Sequence, residues 1–284
     1  MTFPKLIAVG DNCLDVYLTK NQMAVGGNAL NVAVRWARRG LDARYFGVVG
    51  RDAEGDHLLG AIEQAGLNPA DVERRTGHTA VTLILDRNGD RRFLLEDFGV
   101  GLHYLPDAPR MQALHCADWV HLGTNSSEDL VRAMLAENLP FSVDVSTAHD
   151  ALPLTGIPLV FTSGPEDASE PIAGILDKFR SKGAKRTVIT CGKRGAYYDD
   201  GGAVHEVRAR DIAVVDTCGA GDSFIASFIV DHMLSRRPAP EALDRATSAA
   251  ALTCTHEGGF PQTLAPIPGW LPKKYSAVIA AAGT

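Results

Sequence analysis

The stretch DTCGAGDSF, residues 216–224, links an apolar run that reads as a strand (IAVV, 212–215) to one that reads as a helix (FIASFIV, 224–230). A Gly-Ala-Gly turn at a helix start leaves backbone N–H groups pointing outward, and the helix dipole is positive there, so the junction suits an anion. Asp222 brings a negative charge to that mouth. Two readings reconcile it. Asp222 complements the helix dipole. Alternatively, the amides of Gly219, Ala220 and Gly221 hold a transferring phosphoryl group while Asp222 accepts the proton of an attacking hydroxyl.

Outward from this junction, short apolar runs alternate with helical patterns. KLIAVG (5–10), ARYFGVVG (43–50), WVHLG (119–123), FSVDVS (141–146), PLVFTS (158–163) and RTVITC (186–191) read as strands. Helices are expected at 28–40, closed by Gly40, at 53–66, closed by Gly66, and near 127–138 and 168–182. Two more close the chain at roughly 220–235 and 239–256. Such alternation implies an α/β fold with a mostly parallel sheet covered on both faces. GAYYDDGGAVHEV reads as a hairpin turning at Asp200-Gly201-Gly202. The run 79–96 breaks the rhythm with a second hairpin around Asn88-Gly89-Asp90, read as an inserted flap that ends near Asp97-Phe98-Gly99.

Composition limits the function classes. The 284 residues carry a formal net charge of −6 and no long basic run, which argues against a nucleic-acid binder. No apolar stretch has the length of a membrane span, and no signal peptide is read at the N-terminus, so a cytoplasmic protein is expected. The five cysteines lie far apart without a CxxC pair, which reads as reduced thiols. P-loop, GxGxxG, HExxH and GxSxG signatures are all missing, which disfavours a nicotinamide-dependent dehydrogenase on the same alternation.

A second glycine-rich stretch, VGGNALNVAVRWARRG (25–40), places Gly26, Gly27 and Asn28 at a helix entrance with Asn31 one turn in. Asn28 and Asn31 offer paired donors and acceptors suited to hydroxyls, although Asn28 also fits a plain N-cap. Upstream, GDNCLDVY (10–17) sets Asp11, Asn12 and Asp15 just after the first strand, where ligands of parallel α/β sheets gather. Asp11 alone could cap a turn; the cluster suggests a polyol site.

GGNALNVAV and DTCGAGDSF, in this order and some 190 residues apart, resemble the two signatures of the ribokinase-like, phosphofructokinase B-type carbohydrate kinases. GDNCLDVY is most similar to the branch containing bacterial fructoselysine 6-kinase, which acts on fructosamines. The resemblance spans essentially the whole chain. It implies one three-layer unit over 1–284, with lid segments near 12–24 and 76–103 that form a small β-hairpin cover and, in some members, a dimer contact. It implies ATP and Mg²⁺ as cofactors and a sugar or sugar-amine as substrate.

Residue by residue, the resemblance makes Asp222 the catalytic base and Gly219, Ala220 and Gly221 its anion hole. It makes Asn12, Asp15, Gly27, Asn28 and Asn31 sugar contacts. TCGKRG (190–195) is similar to the family's turn beside the nucleotide, implicating Thr190, Gly192 and Gly195. Asp216 and Cys218 fall where some members bind a monovalent cation such as K⁺. Arg92, on the flap, is either a phosphate contact or a solvated edge-strand charge. The family's NxxE stretch, which helps organise Mg²⁺, is altered: Ser163 stands where Asn is expected, while Glu166 keeps the acidic position. That departure is the one feature favouring a non-catalytic sugar or nucleotide sensor, and the retained Asp222 with its amides favours a kinase.

Overall fold

The computed structural model describes residues 3–87 and 90–282. Its elements begin with β1 (Lys5–Val9), β2 (Cys13–Tyr17), β3 (Gln22–Gly26) and α1 (Asn28–Arg38). There follow β4 (Asp42–Phe46), β5 (Val48–Gly50), α2 (Ala53–Gln64), β6 (Glu73–Arg75), β7 (Val81–Arg87) and β8 (Asp90–Asp97). The middle of the chain forms α3 (Ala108–Leu114), β9 (Trp119–Leu122), α4 (Glu128–Ala136), β10 (Phe141–Asp144), β11 (Leu159–Ser163) and α5 (Ala173–Ser181). Next come β12 (Thr187–Thr190), β13 (Ala196–Asp199), β14 (Val204–Val207), α6 (Ala220–Phe228) and α7 (Ala239–Thr253). The chain closes with β15 (Ala265–Pro266), α8 (Leu271–Lys274) and α9 (Ser276–Ala281).

An eight-stranded sheet in the order β14-β13-β12-β11-β10-β9-β1-β4 forms the middle layer. From β4 to β12 every pairing is parallel; β13 and β14 add an antiparallel edge. Side chains alternate across a strand, so β1 feeds two cores. Leu6 and Ala8 pack with Trp36 of α1, Leu58 of α2, Phe228 of α6 and Leu243 of α7. Ile7 and Val9 pack on the opposite face with Leu114 of α3, Met134 of α4 and Phe179 of α5. Helices therefore cover both faces, as the strand–helix alternation requires.

The second sheet is larger than the expected small hairpin. It is a five-stranded sheet, β15-β3-β2-β7-β8, in which β2 pairs antiparallel with β3 and parallel with β7. β2 and β3 are not among the expected strands; QMAVG runs straight into the helix entrance. The turn expected at Asn88-Gly89 lies outside the described residues, and the flap ends at Asp97 as expected.

Two strand expectations are corrected. Residues 43–50 form two strands, broken at Gly47, and β5 leaves the large sheet to pair with β6. Residues 212–215 form no strand. Val214 and Val215 are 49% and 59% exposed, because β14 already closes that edge of the sheet and the segment runs instead along the rim of a cavity.

Candidate active site

In the large sheet β1 lies between β4 on one side and β9 on the other, so the strand order reverses there and opens a crevice at the carboxyl ends. The loop after β1 carries Asp11 into that crevice. Asp11 Oδ2 accepts from Asn28 N at 2.7 Å and Oδ1 accepts from Ala29 N at 3.2 Å, so its carboxylate holds the N-terminus of α1. Asp11 thus caps a helix from a distance. Gly27 makes the junction possible: its φ is +116°, and a Cβ there would fall 2.5 Å from Asn12 Cα. Asn12 turns inward, where its Nδ2 donates to Tyr45 Oη (2.9 Å) and Val48 O (3.0 Å).

The helix that follows delivers two amides to one carboxylate. Asn28 Nδ2 donates to Asp222 Oδ1 at 2.7 Å and Asn31 Nδ2 to Asp222 Oδ2 at 2.6 Å. Asn28 is the first residue of α1, after Gly27 at the N-cap position, and its side chain caps nothing. The same Asn28 Nδ2 donates to Asp144 Oδ2 at 2.8 Å. Asp144, at the end of β10, was not singled out in the sequence; its only signal is a charge closing a short buried strand. Asp15, on β2 of the lid, and Asn31 both face Gly26: a Cβ at Gly26 would lie 3.1 Å from Asp15 Oδ2 and 3.9 Å from Asn31 Oδ1. Asp11, Asp15, Gly27, Asn28, Asn31 and Asp222 therefore gather at the α1 entrance. Arg92 does not join them; it is exposed on β8 opposite Leu85.

Burial governs the electrostatics of this group. It pushes the Asp222 carboxyl up to about 6, opposed by the Asn31 and Asn28 amides and supported by the charge of Asp11. It pushes Asp144 up to about 7, opposed by the Ser146 N–H and reinforced by the charges of Asp222 and Asp11. Burial raises Asp11 as well, against the backbone N–H groups of Asn28 and Ala29. The three carboxyls come from three different parts of the chain, and the amide of Asn28 separates two of them.

Asp222 stands in the first turn of α6, whose N-cap residue Gly219 adopts φ +72°. A Cβ on Gly219 would lie 2.4 Å from Gly259 Cα, so the 216–221 turn rests directly on the 257–260 loop. Both oxygens of Asp216 secure that contact: Oδ1 accepts from Cys218 N at 2.8 Å and Oδ2 from Gly258 N at 3.0 Å. The amide of Ala220 donates to Thr217 O at 3.2 Å. Among the described residues, the backbone N–H groups of Gly219, Gly221 and Asp222 donate to no other backbone group, so the open amides at the mouth of α6 differ by one from the expected trio.

A cavity of about 320 Å³ opens on the other side of this turn. Thr190, Gly192 and Gly195 line it, together with Glu166, Ala220 and Gly221. Ile212 and Val214 form one wall, and Phe224, Thr247, Ala250 and Ala251 another, none of which was singled out in the sequence. Glu166 is the only carboxylate lining it, and no cluster of three potential metal ligands occurs among the described residues. The start of α6 thus stands between an apolar-walled cavity and a carboxylate–amide cluster. That is the layout of an enzyme that passes a group from one ligand to another.

Comparison with known proteins agrees. Residues 5–138 and 145–264 match the pfkB family of carbohydrate kinases, and the chain belongs to that family. It is 34% identical to the fructosamine kinase FrlD of Bacillus subtilis over 265 residues, covering 90% of this chain and 93% of that one. It is 29% identical to the fructoselysine 6-kinase of Escherichia coli, covering 90% and 99%. Among solved structures, Arabidopsis thaliana ribokinase with ribose and ATP superposes with a TM-score of 0.79 at 21% identity, covering 92% of this chain and 96% of that one. The protein is a carbohydrate kinase with a ribokinase-like fold.

Proposed function

We propose that this kinase transfers the γ-phosphoryl group of ATP to the primary hydroxyl of a fructosamine, with fructoselysine as substrate and O6 as acceptor. The observation that carries the mechanism is Asp222, a half-buried carboxylate held by two amide side chains next to the open amides of α6. Burial keeps its basicity high, so it accepts a hydroxyl proton more readily than an exposed carboxylate at the same pH. The Gly219 and Gly221 amides and the positive end of α6 complement charge on the group in transit. Asp15 and Asn31, which face each other across Gly26, orient the sugar beneath the lid. Asp11 keeps the α1 entrance in place.

The nucleotide reading rests on the cavity at Thr190, Gly192 and Gly195, whose apolar walls at Val214 and Ala250 suit a base. Mg²⁺ would be held there by the nucleotide phosphates and water, with Glu166 as the protein carboxylate, and would neutralise phosphate charge. Such sparse protein ligation is ordinary for Mg²⁺, so Ser163 in place of asparagine is compatible with turnover. A K⁺ at Asp216 would draw on the lone pairs left after each of its oxygens accepts one backbone N–H. The substrate assignment is supported by the two relatives whose names specify fructosamine and fructoselysine.

The test is ADP release from MgATP with fructoselysine, fructose, ribose and 2-keto-3-deoxygluconate side by side. Fructoselysine is expected to give the highest kcat/KM. Preference for ribose or fructose would discard the fructosamine assignment and leave the phosphoryl transfer intact.

A further inference from the structure

The base cluster continues into the sheet through a chain of hydrogen bonds. His121, fully buried on β9, places Nε2 3.2 Å from Asn28 Oδ1 and Nδ1 3.0 Å from Ser142 Oγ on β10. Trp119 Nε1 donates to the same Ser142 Oγ at 3.0 Å. The directions follow from chemistry. Asn28 turns its NH₂ toward Asp144 and Asp222, so its Oδ1 faces His121 and accepts. Nε2 of His121 therefore carries the proton. Burial lowers the His121 pKa to about 3, so the ring is neutral and its Nδ1 is a lone pair. Ser142, already accepting from the indole, donates its hydroxyl proton to that lone pair.

We propose that His121 is a positioning residue for phosphoryl transfer: its Nε2–H holds the Asn28 amide in the one orientation that turns both amide hydrogens toward Asp144 and Asp222. This rests on reading Asp222 as the base. An amide is nearly symmetric in shape, and nothing in its outline prevents it from turning over. Turned over, Asn28 would aim its carbonyl oxygen at two carboxylates, an arrangement tolerated only when one of them is protonated. The His121 N–H penalises that state, because the turned amide would meet it with a second donor. Among the remaining groups around Asp222, Asp144 accepts from the same Asn28 amide and favours the same orientation. Asn31 and Arg35 come from α1, Asp11 from the loop after β1, Asp144 from β10, and Asp15 faces Asn31 from the lid.

The test compares the pH dependence of kcat for the wild type, His121→Leu and His121→Gln, with MgATP and the best sugar of the panel. Leucine removes the N–H, whereas glutamine reaches the Nε2 position and restores a donor. His121→Leu is expected to shift the acid limb upward by about one pH unit, a roughly tenfold loss near pH 6 with recovery near pH 8.5. His121→Gln is expected to return the limb to its wild-type position. A uniform loss at every pH with an unmoved limb would overturn the proposal. Asp222→Asn, run in parallel, separates the two ideas: collapse of turnover with an unmoved limb defeats the His121 role alone, while retained turnover defeats both. Should His121→Leu not fold, ¹⁵N NMR of the wild-type imidazole decides. A constant Nε2–H tautomer from about pH 5 to about pH 9 is expected, and an Nδ1–H tautomer or protonation in that range would contradict it.

Discussion

In the proposed mechanism Asp222 is useful as a base because its charge is costly to desolvate. Its pKa is about 6 in the folded chain against 3.8 in the unfolded one, so between those values the folded state binds more protons. Stability therefore falls as pH rises through that window and levels off above it. A shift of this size corresponds to roughly 3 kcal/mol over the full titration. Urea unfolding between about pH 4 and about pH 7.5 is expected to show the wild type losing about 2 kcal/mol more than Asp222→Asn, the slope and not the absolute stability being diagnostic. Equal slopes would mean that Asp222 is solvated in the free protein. At this scale the sequence shows Asp222, Asn28 and Asn31, because glycines mark both helix mouths. It conceals Asp144 and His121, since one polar side chain in a buried strand has no partner along the chain. Their partner is Asn28, which is 116 residues from Asp144 and 93 from His121. It likewise conceals that Asn12 faces Tyr45, because the residue type does not reveal which way a loop turns.

The elements were legible where periodicity is long. The amphipathic helix α1 and the buried parallel strands stand where their patterns predict. Residues 212–215 mislead because an apolar run that walls a cavity resembles one that fills a sheet. The α6 turn is the element that both proposed ligand sites share, and it tolerates little change. Gly219→Ala would place a methyl 2.4 Å from Gly259 Cα at a backbone angle alanine disfavours. Gly259 in turn rests against Asn31: a Cβ there would lie 2.3 Å from Asn31 Nδ2. The expected result is a loss of about 1–3 kcal/mol in thermal unfolding and at least about a tenfold drop in turnover, because the strain passes to the base through Asn31. Unchanged activity would show that the 257–260 loop yields freely.

Across the whole molecule, the two glycine-rich stretches signalled in the sequence meet because the strand order reverses at β1, which brings α1 and α6 to one crevice. The extent of the lid was not legible, since β15 joins it from the far end of the chain. The layout separates the proposed nucleotide side from the proposed sugar side. Ala250→Phe projects a ring into the 320 Å³ cavity without touching the Asn28–Asp222 cluster. It is expected to raise the KM for ATP at least about tenfold while leaving the KM for the sugar within about twofold, read from initial rates with each substrate varied. Equal effects on both KM values would place the nucleotide elsewhere.

The central claim is that Asp222 takes the proton of the attacking hydroxyl. Its most direct test is single-turnover phosphoryl transfer with saturating MgATP and sugar, comparing the wild type with Asp222→Asn and measuring ATP affinity alongside. A rate lower by roughly 10²–10⁴-fold is expected in the variant, with nucleotide binding preserved. A variant that transfers phosphate at near wild-type rate would contradict it.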